Sequence, residues 1–183
     1  MPGVAQRLRL ARHRGRVRAS GGGVMIGPGV HFDVAPGAEV RLGAGCVLGE
    51  RTRVLVRAGR VSIGAGAILG ERCTLVAHGA ITIGERARLG DGAVVVDFDH
   101  VFDDVERPIR LQPIESAPVT IGDGALIGIG ASVLRGVTVG ARAVVGPHAV
   151  VTADVGTGAH VAGVPARPAM PAGHGSGAPP SLR

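Results

Sequence analysis

The chain has no tryptophan, tyrosine, lysine or asparagine, and only three phenylalanines and two cysteines in 183 residues. With so few large aromatics, a core must be filled by short aliphatic side chains used many times. Without lysine, all 20 basic residues are arginines. The joint absence of Lys and Asn, whose codons are rich in A and T, points to a GC-rich genome more than to a physical requirement. Two cysteines make no disulfide framework. No apolar run near the N-terminus is long enough for a signal-peptide core, and none reaches about eighteen apolar residues. The expectation is a cytoplasmic protein with no integral membrane segment. A set of aromatic side chains for stacking bases is also missing, so no nucleic-acid partner is expected, although a formal net charge of +6 favours anionic partners in general.

What the chain does have is 32 glycines and a repeat. Aliphatic residues, most of them followed by glycine, recur six apart, as in Leu42 and Leu48, Ile63 and Leu69, Ile83 and Leu89, and then Ile121, Ile127, Val133, Val139, Val145 and Val151 without interruption. Six is not a helix period, and each glycine disfavours helix by about 1 kcal/mol relative to Ala. A short strand and a sharp turn, repeated, fits, and hexapeptide units of this kind stack into a parallel β-helix. Leu42, Ile63 and Ile83 recur at 21 and 20 residues, which makes three units per coil plus two or three extra residues at one corner. Cys46 and Cys73 fill the fifth slot of a unit, where others have Ala or Val, and read as small core residues.

The repeat stops at "VVVDFDHVFDDVERPIRLQP", residues 94–113, and restarts at Ile121. The gap holds five carboxylates, Asp97, Asp99, Asp103, Asp104 and Glu106, together with His100. Counting three residues past Val54, Leu75 and Val95 reaches Arg57, His78 and Phe98, so the segment leaves the coil at one corner, above His78. A long loop without obvious secondary structure is usually functional or disordered; this one is rich in groups that need partners and reads as functional. The expected organisation is a basic N-terminal cap over 1–22, a β-helix domain over 23–167 with an inserted loop at 97–118, and a flexible Pro/Gly/Ser/Ala-rich tail over 168–183.

The repeat, the loop carrying His100, the run "PVTIGDGALIGIGASVLRGVTVGARAVVGPHAVVTADV" and the terminal "VAGVPARP" together resemble the hexapeptide-repeat acyltransferases, in particular the galactoside, maltose and xenobiotic O-acetyltransferases. The resemblance implies an all-β, left-handed parallel β-helix; the hand comes from the resemblance alone, since parallel crossovers are otherwise right-handed. It implies a homotrimer with active sites between subunits, acetyl-CoA as acyl donor, no metal, and a small-molecule or glycan acceptor. His100 would be the general base, with Asp97 or Asp99 orienting its imidazole and His78 contacting the acceptor. By position, Ile129 and Pro147 would hold the pantetheine arm, and Thr152, Ala153 and Arg167 the nucleotide end. Many relatives have Trp where Leu126 stands, a Ser-like residue at Ile129, Ala at Pro147 and a basic residue at Ala153; Arg167 or Arg142 could replace the last. Two other readings of the same scaffold are a non-catalytic protein, which should not bind acetyl-CoA, and a carbonic-anhydrase-like zinc enzyme, for which a third suitably spaced histidine is missing.

Overall fold

A computed structural model of the chain describes residues 15–169. The N-terminal residues 1–14 and the tail from 170 onward, which hold most of the expected cap and tail, lie outside the described residues. The fold is an all-β, left-handed parallel β-helix of six coils. Its three faces are parallel sheets. The first runs from Val17–Ala19 to Thr138–Val139, the second from Met25–Ile26 to Val144–Val145 and on to His160–Ala162, and the third from His31–Val34 to Val150–Val151. Val17–Ala19 already pairs in parallel with Val40–Leu42, so the coil begins inside the segment read from sequence as a cap.

The hexapeptide period becomes vertical ladders. Leu42, Ile63, Ile83, Ile121 and Val139 stand in register on the first face. Leu48, Leu69, Leu89, Ile127 and Val145 do so on the second, and Phe32, Val54, Leu75, Val95, Val133 and Val151 on the third. All point inward and all are buried. Fully burying one such side chain stabilises by about 1.5–3 kcal/mol, and the ladders supply that many times over with Phe32 as their single aromatic residue. The fifth slot is smaller because it lies inside a corner: Ala67, Ala87, Ala125 and Ala143 are completely buried there. Cys46 and Cys73 share the slot as free thiols, and burial pushes both up to about 11. Thr52 also fits, because its hydroxyl donates to the Gly70 carbonyl at 2.9 Å.

Glycine at the first-to-second corner is required by close approach. A Cβ built on Gly122 would lie 2.6 Å from the backbone nitrogen of Ala141 in the next coil, nearer than real Cβ atoms come. Acidic side chains close turns from above: Asp123 accepts the Glu85 N–H at 2.8 Å at this corner, and Asp91 accepts the Glu71 N–H at 2.9 Å at the second-to-third corner. The helix is thus regular inside and along its corners, and it departs from that regularity in one long excursion, from the third-to-first corner.

Candidate active site at the broken corner

The excursion starts at an unusual ladder position. Val34, Val56 and Ala77 are inward-facing and buried in successive coils, and Asp97 is the next member of that series. A carboxylate there is completely buried. Its two oxygens accept the backbone N–H groups of His78, at 2.7 Å, and Gly79, at 2.8 Å. A buried charge needs partners of this kind to be tolerated at all. Asp97 therefore fixes the corner of the coil below. Its own carbonyl accepts the Ala117 N–H at 2.8 Å, which closes the neck of the excursion.

The excursion is more ordered than its sequence suggests. Phe98–His100 pairs antiparallel with Ile114–Ser116, with Phe98 opposite Ser116 and His100 opposite Ile114. Further out, Gln112 is buried. Its side-chain amide donates to the carbonyls of Asp104 and Arg107, both at 2.8 Å, and its amide oxygen accepts the Asp104 N–H at 3.2 Å. A two-stranded ribbon with a laced tip thus stands where a structureless loop was expected. Glu115 on the ribbon meets Arg135 of the next coil at 3.4 Å.

Three rings follow one another at this corner. His78 and Phe98 lie with centroids 4.3 Å apart, tilted by 48°, and Phe98 and His100 lie 6.0 Å apart, edge to face at 78°. The two histidines are therefore brought to one place but are separated by Phe98. His100 is exposed, and its own backbone N–H donates to the Asp99 carboxylate at 2.8 Å. Asp97 and Asp99 are thus engaged with backbone N–H groups, of His78 and Gly79 in one case and of His100 in the other.

Two grooves lie on either side of the ribbon. On its C-terminal side a groove of about 480 Å³ is lined by Val96, Phe98, Asp99, Leu134, Arg135 and Thr152. On its N-terminal side a second groove of about 480 Å³ runs along the corner past Arg16, Arg18, Glu39 and Arg60 to Gly79. A Cβ on Gly79 would lie 3.4 Å from the Ser116 hydroxyl, so the second groove ends against the ribbon.

The remaining residues singled out in the sequence are dispersed. Thr152 joins the His100 corner, with Ala153 exposed beside it. Ile129 and Pro147 stack in the turn between the second and third faces, at the opposite edge of the third face, both exposed. Arg167 lies in Arg167–Pro168, antiparallel to the end of the second face, with its guanidinium on the neighbouring Ala166 carbonyl at 3.1 Å. Sequence reasoning did not single out Phe98 as the ring between the histidines, nor Leu134 and Arg135 as groove lining. Their signal was position: Leu134 and Arg135 directly follow the ladder residue Val133 at the corner the excursion leaves. Among the described residues no group of three or more His, Cys, Asp or Glu could hold a metal ion, and no helix is long and apolar enough to cross a membrane.

Comparison with known proteins agrees with this architecture. The model of the bacterial transferase hexapeptide (six repeats) matches residues 118–153. The probable acetyltransferase Rv3034c of Mycobacterium tuberculosis (strain ATCC 25618 / H37Rv) is 33% identical over 147 residues, covering 80% of this chain and 49% of that protein. The chain thus spans about half the length of this relative. Two solved structures share the fold. A variant of AntD, an N-acyltransferase from Bacillus cereus in complex with dTDP and coenzyme A, superposes with a TM-score of 0.74 at 16% identity, over 88% of this chain and 86% of that one. A maltose O-acetyltransferase from Clostridium difficile 630 does so with a TM-score of 0.62 at 21% identity, over 91% and 74%. With its uninterrupted hexapeptide run after the excursion and its β-helix, the chain carries the bacterial transferase hexapeptide repeat and is similar to hexapeptide-repeat acyltransferases over most of its length.

Proposed function

We propose that the protein is an acyl-CoA-dependent acyltransferase that moves an acetyl group from acetyl-CoA to a hydroxyl of a sugar or glycoside. The observation that carries this reading is the ribbon that sets His100 beside Phe98, a residue lining one groove, while Gly79 next to His78 ends the other. One groove would receive the donor and the other the acceptor, with His100 between them. Donor binding draws support from the neighbours, of which AntD is described in complex with coenzyme A. An amine acceptor is the second reading, favoured by the same likeness to an N-acyltransferase.

The chemistry needs one base. A nitrogen of His100 takes the proton of the acceptor O–H as that oxygen attacks the thioester carbonyl. The C–S bond then breaks, and the departing thiolate of coenzyme A takes the proton back from the imidazolium. A thioester is already activated, so holding the two reactants together and supplying a single base gives much of the rate. An imidazole titrates near neutral pH and suits the task. No cysteine nucleophile is required, in keeping with two buried thiols whose pKa is raised. His78 would contact the acceptor. Asp97 would act on it indirectly, by fixing the backbone from which His78 projects. Thr152 would meet the donor in the C-terminal groove. Ile129, Pro147, Ala153 and Arg167 would touch the donor further along its length, in a site completed by a neighbouring subunit.

That completion is why we propose a homotrimer. The excursion exposes Phe102, Val105 and Ile109, and the coils expose Met25, Leu126 and Ile129; neighbouring subunits would cover such surface. We place the reaction in the cytoplasm, where the donor is made. Calorimetric titration with acetyl-CoA, followed by a thiol-release assay over free sugars, glycosides and amino sugars, tests the reading. Saturable acetyl-CoA binding and acceptor-dependent thiol release are expected. A protein that does not bind acetyl-CoA would be the non-catalytic scaffold instead.

A further inference from the structure

The two grooves differ in charge. Three arginines, Arg16, Arg18 and Arg60, line the N-terminal one with a single carboxylate, Glu39, and two more, Arg41 and Arg57, are held near it in ion pairs with Glu39 and Asp33. Glu39 meets Arg41 at 2.8 Å and Arg60 at 3.6 Å, and Asp33 meets Arg57 at 2.8 Å. Arg16 donates to the Val34 carbonyl at 2.9 Å. These contacts neutralise two of the five charges and leave most guanidinium N–H groups facing solvent, with Arg18 exposed. Around the C-terminal groove Arg135 is matched by Asp99 and Glu115, with no excess of positive charge.

The arginines also have a fixed position relative to the rings. Arg60 pairs with Ala80, two residues after His78, in the coil directly below. Arg57 donates its backbone N–H to the Ala77 carbonyl and so occupies the corner beneath His78. One coil is roughly 4.8 Å, about the distance across a hexose ring. Guanidinium groups suit phosphate oxygens, which they bind in pairs of parallel hydrogen bonds. We infer that this groove binds a phosphate or diphosphate group carried by the acceptor, so that a sugar phosphate ester lies with its ring at His78 and Phe98 and its phosphate on Arg57 and Arg60, a second phosphate reaching toward Arg18. The inference rests on the acyltransferase reading for the word acceptor, while the anion site itself does not.

Calorimetry on the full-length chain at 0.15 M salt tests it, with inorganic pyrophosphate, glucose 1-phosphate and glucose as probes. Pyrophosphate and glucose 1-phosphate should bind and glucose should not. An Arg18→Ser/Arg60→Ser double variant should lose about tenfold or more in pyrophosphate affinity, the worth of a hydrogen bond to a charged group. Its coenzyme A affinity should not change, and Arg18→Lys/Arg60→Lys should recover part of the loss, which a folding defect would not allow. Pyrophosphate should bind equally well when coenzyme A is saturating. Competition between the two would assign the arginines to the donor's phosphates and overturn the proposal. So would absent pyrophosphate binding, or equal displacement by dextran sulfate, which would mark a diffuse basic surface. Acetyl-CoA binding without pyrophosphate binding would sink this inference alone. The reverse would sink the acyltransferase reading and leave the anion site standing.

Discussion

Leu75 and Ile83 in the coils are completely or almost completely buried, whereas Phe102 and Val105 in the excursion are 66% and 91% exposed. The coils satisfy themselves: each rung hands its backbone hydrogen bonds to the next, and each apolar side chain finds its neighbour one coil away. The excursion leaves that arrangement with apolar and charged groups turned outward, tied down by Asp97 at its neck and Gln112 at its tip. A repeat of identical rungs can provide stability and a straight edge, but it cannot converge dissimilar groups on one point. The excursion does so, bringing a ring and an imidazole from the ribbon over an imidazole from the coil below.

If that division is sound, the excursion can be damaged chemically without touching the coils. His100→Ala should lower kcat by on the order of 10²–10⁴-fold, the typical worth of a general base, with the melting temperature and acetyl-CoA affinity unchanged. His78→Ala should cost less and mainly in acceptor KM, as expected of a group that only binds. Steady-state kinetics beside a thermal melt separates the cases. Full turnover by the His100 variant would remove the base from the ribbon. An inactive His78 variant beside an active His100 variant would move the base one coil down and make the ribbon a cover.

The converse experiment damages the coils alone. Ile83 is 1% exposed, in register with Ile63 below and Ile121 above. Ile83→Ala removes a buried side chain from a stack that cannot collapse, because strand spacing fixes the rungs. It should destabilise by about 2–5 kcal/mol, read from chemical denaturation. At temperatures where it remains folded, kcat should be close to that of the unaltered protein. A large loss of kcat without a loss of stability would show that the ladder and the site are coupled, contrary to the comparison.

The same division sets what could be read from the chain. The coils were legible because period-six spacing is a direct image of the fold: Leu42, Ile63 and Ile83 form one vertical ladder, as their spacing required. The place of the break was legible by the same count, and Phe98 does lie over His78. The ribbon was not. Its strands are three residues each, "FDH" and "IES", with no alternating pattern and no tight turn between them. Their pairing depends on a neck closed by one hydrogen bond and a tip laced by Gln112. Asp97 was legible in principle, two residues past Val95 as Ala77 is two past Leu75, but its acidic character drew it to His100. The ladder places it inward, where the free N–H groups of the corner are.

The smallest expected effect concerns the thiols, which belong wholly to the coils. Cys46 and Cys73 are completely buried, and burial, the largest cause, raises each to about 11 from an ordinary value of 9.0. At pH 8 a disulfide reagent such as Ellman's should modify neither in the folded protein and both in denaturant, and an alkylating agent should leave activity intact. The shift also has a sign. Between pH 9 and 11 the unfolded chain releases thiol protons that the folded chain keeps, so the unfolded state binds fewer protons and stability falls as pH rises. The contribution is whole below about pH 9 and lost by about pH 11. Cys73→Ala retains the small fifth-slot side chain that neighbouring coils use, so it should fold, and it should flatten part of that alkaline decline in denaturation midpoints. An unaltered slope would mean that other groups govern the alkaline limb. Rapid thiol modification at pH 8 would mean that the corners open far more readily than their continuous ladders allow.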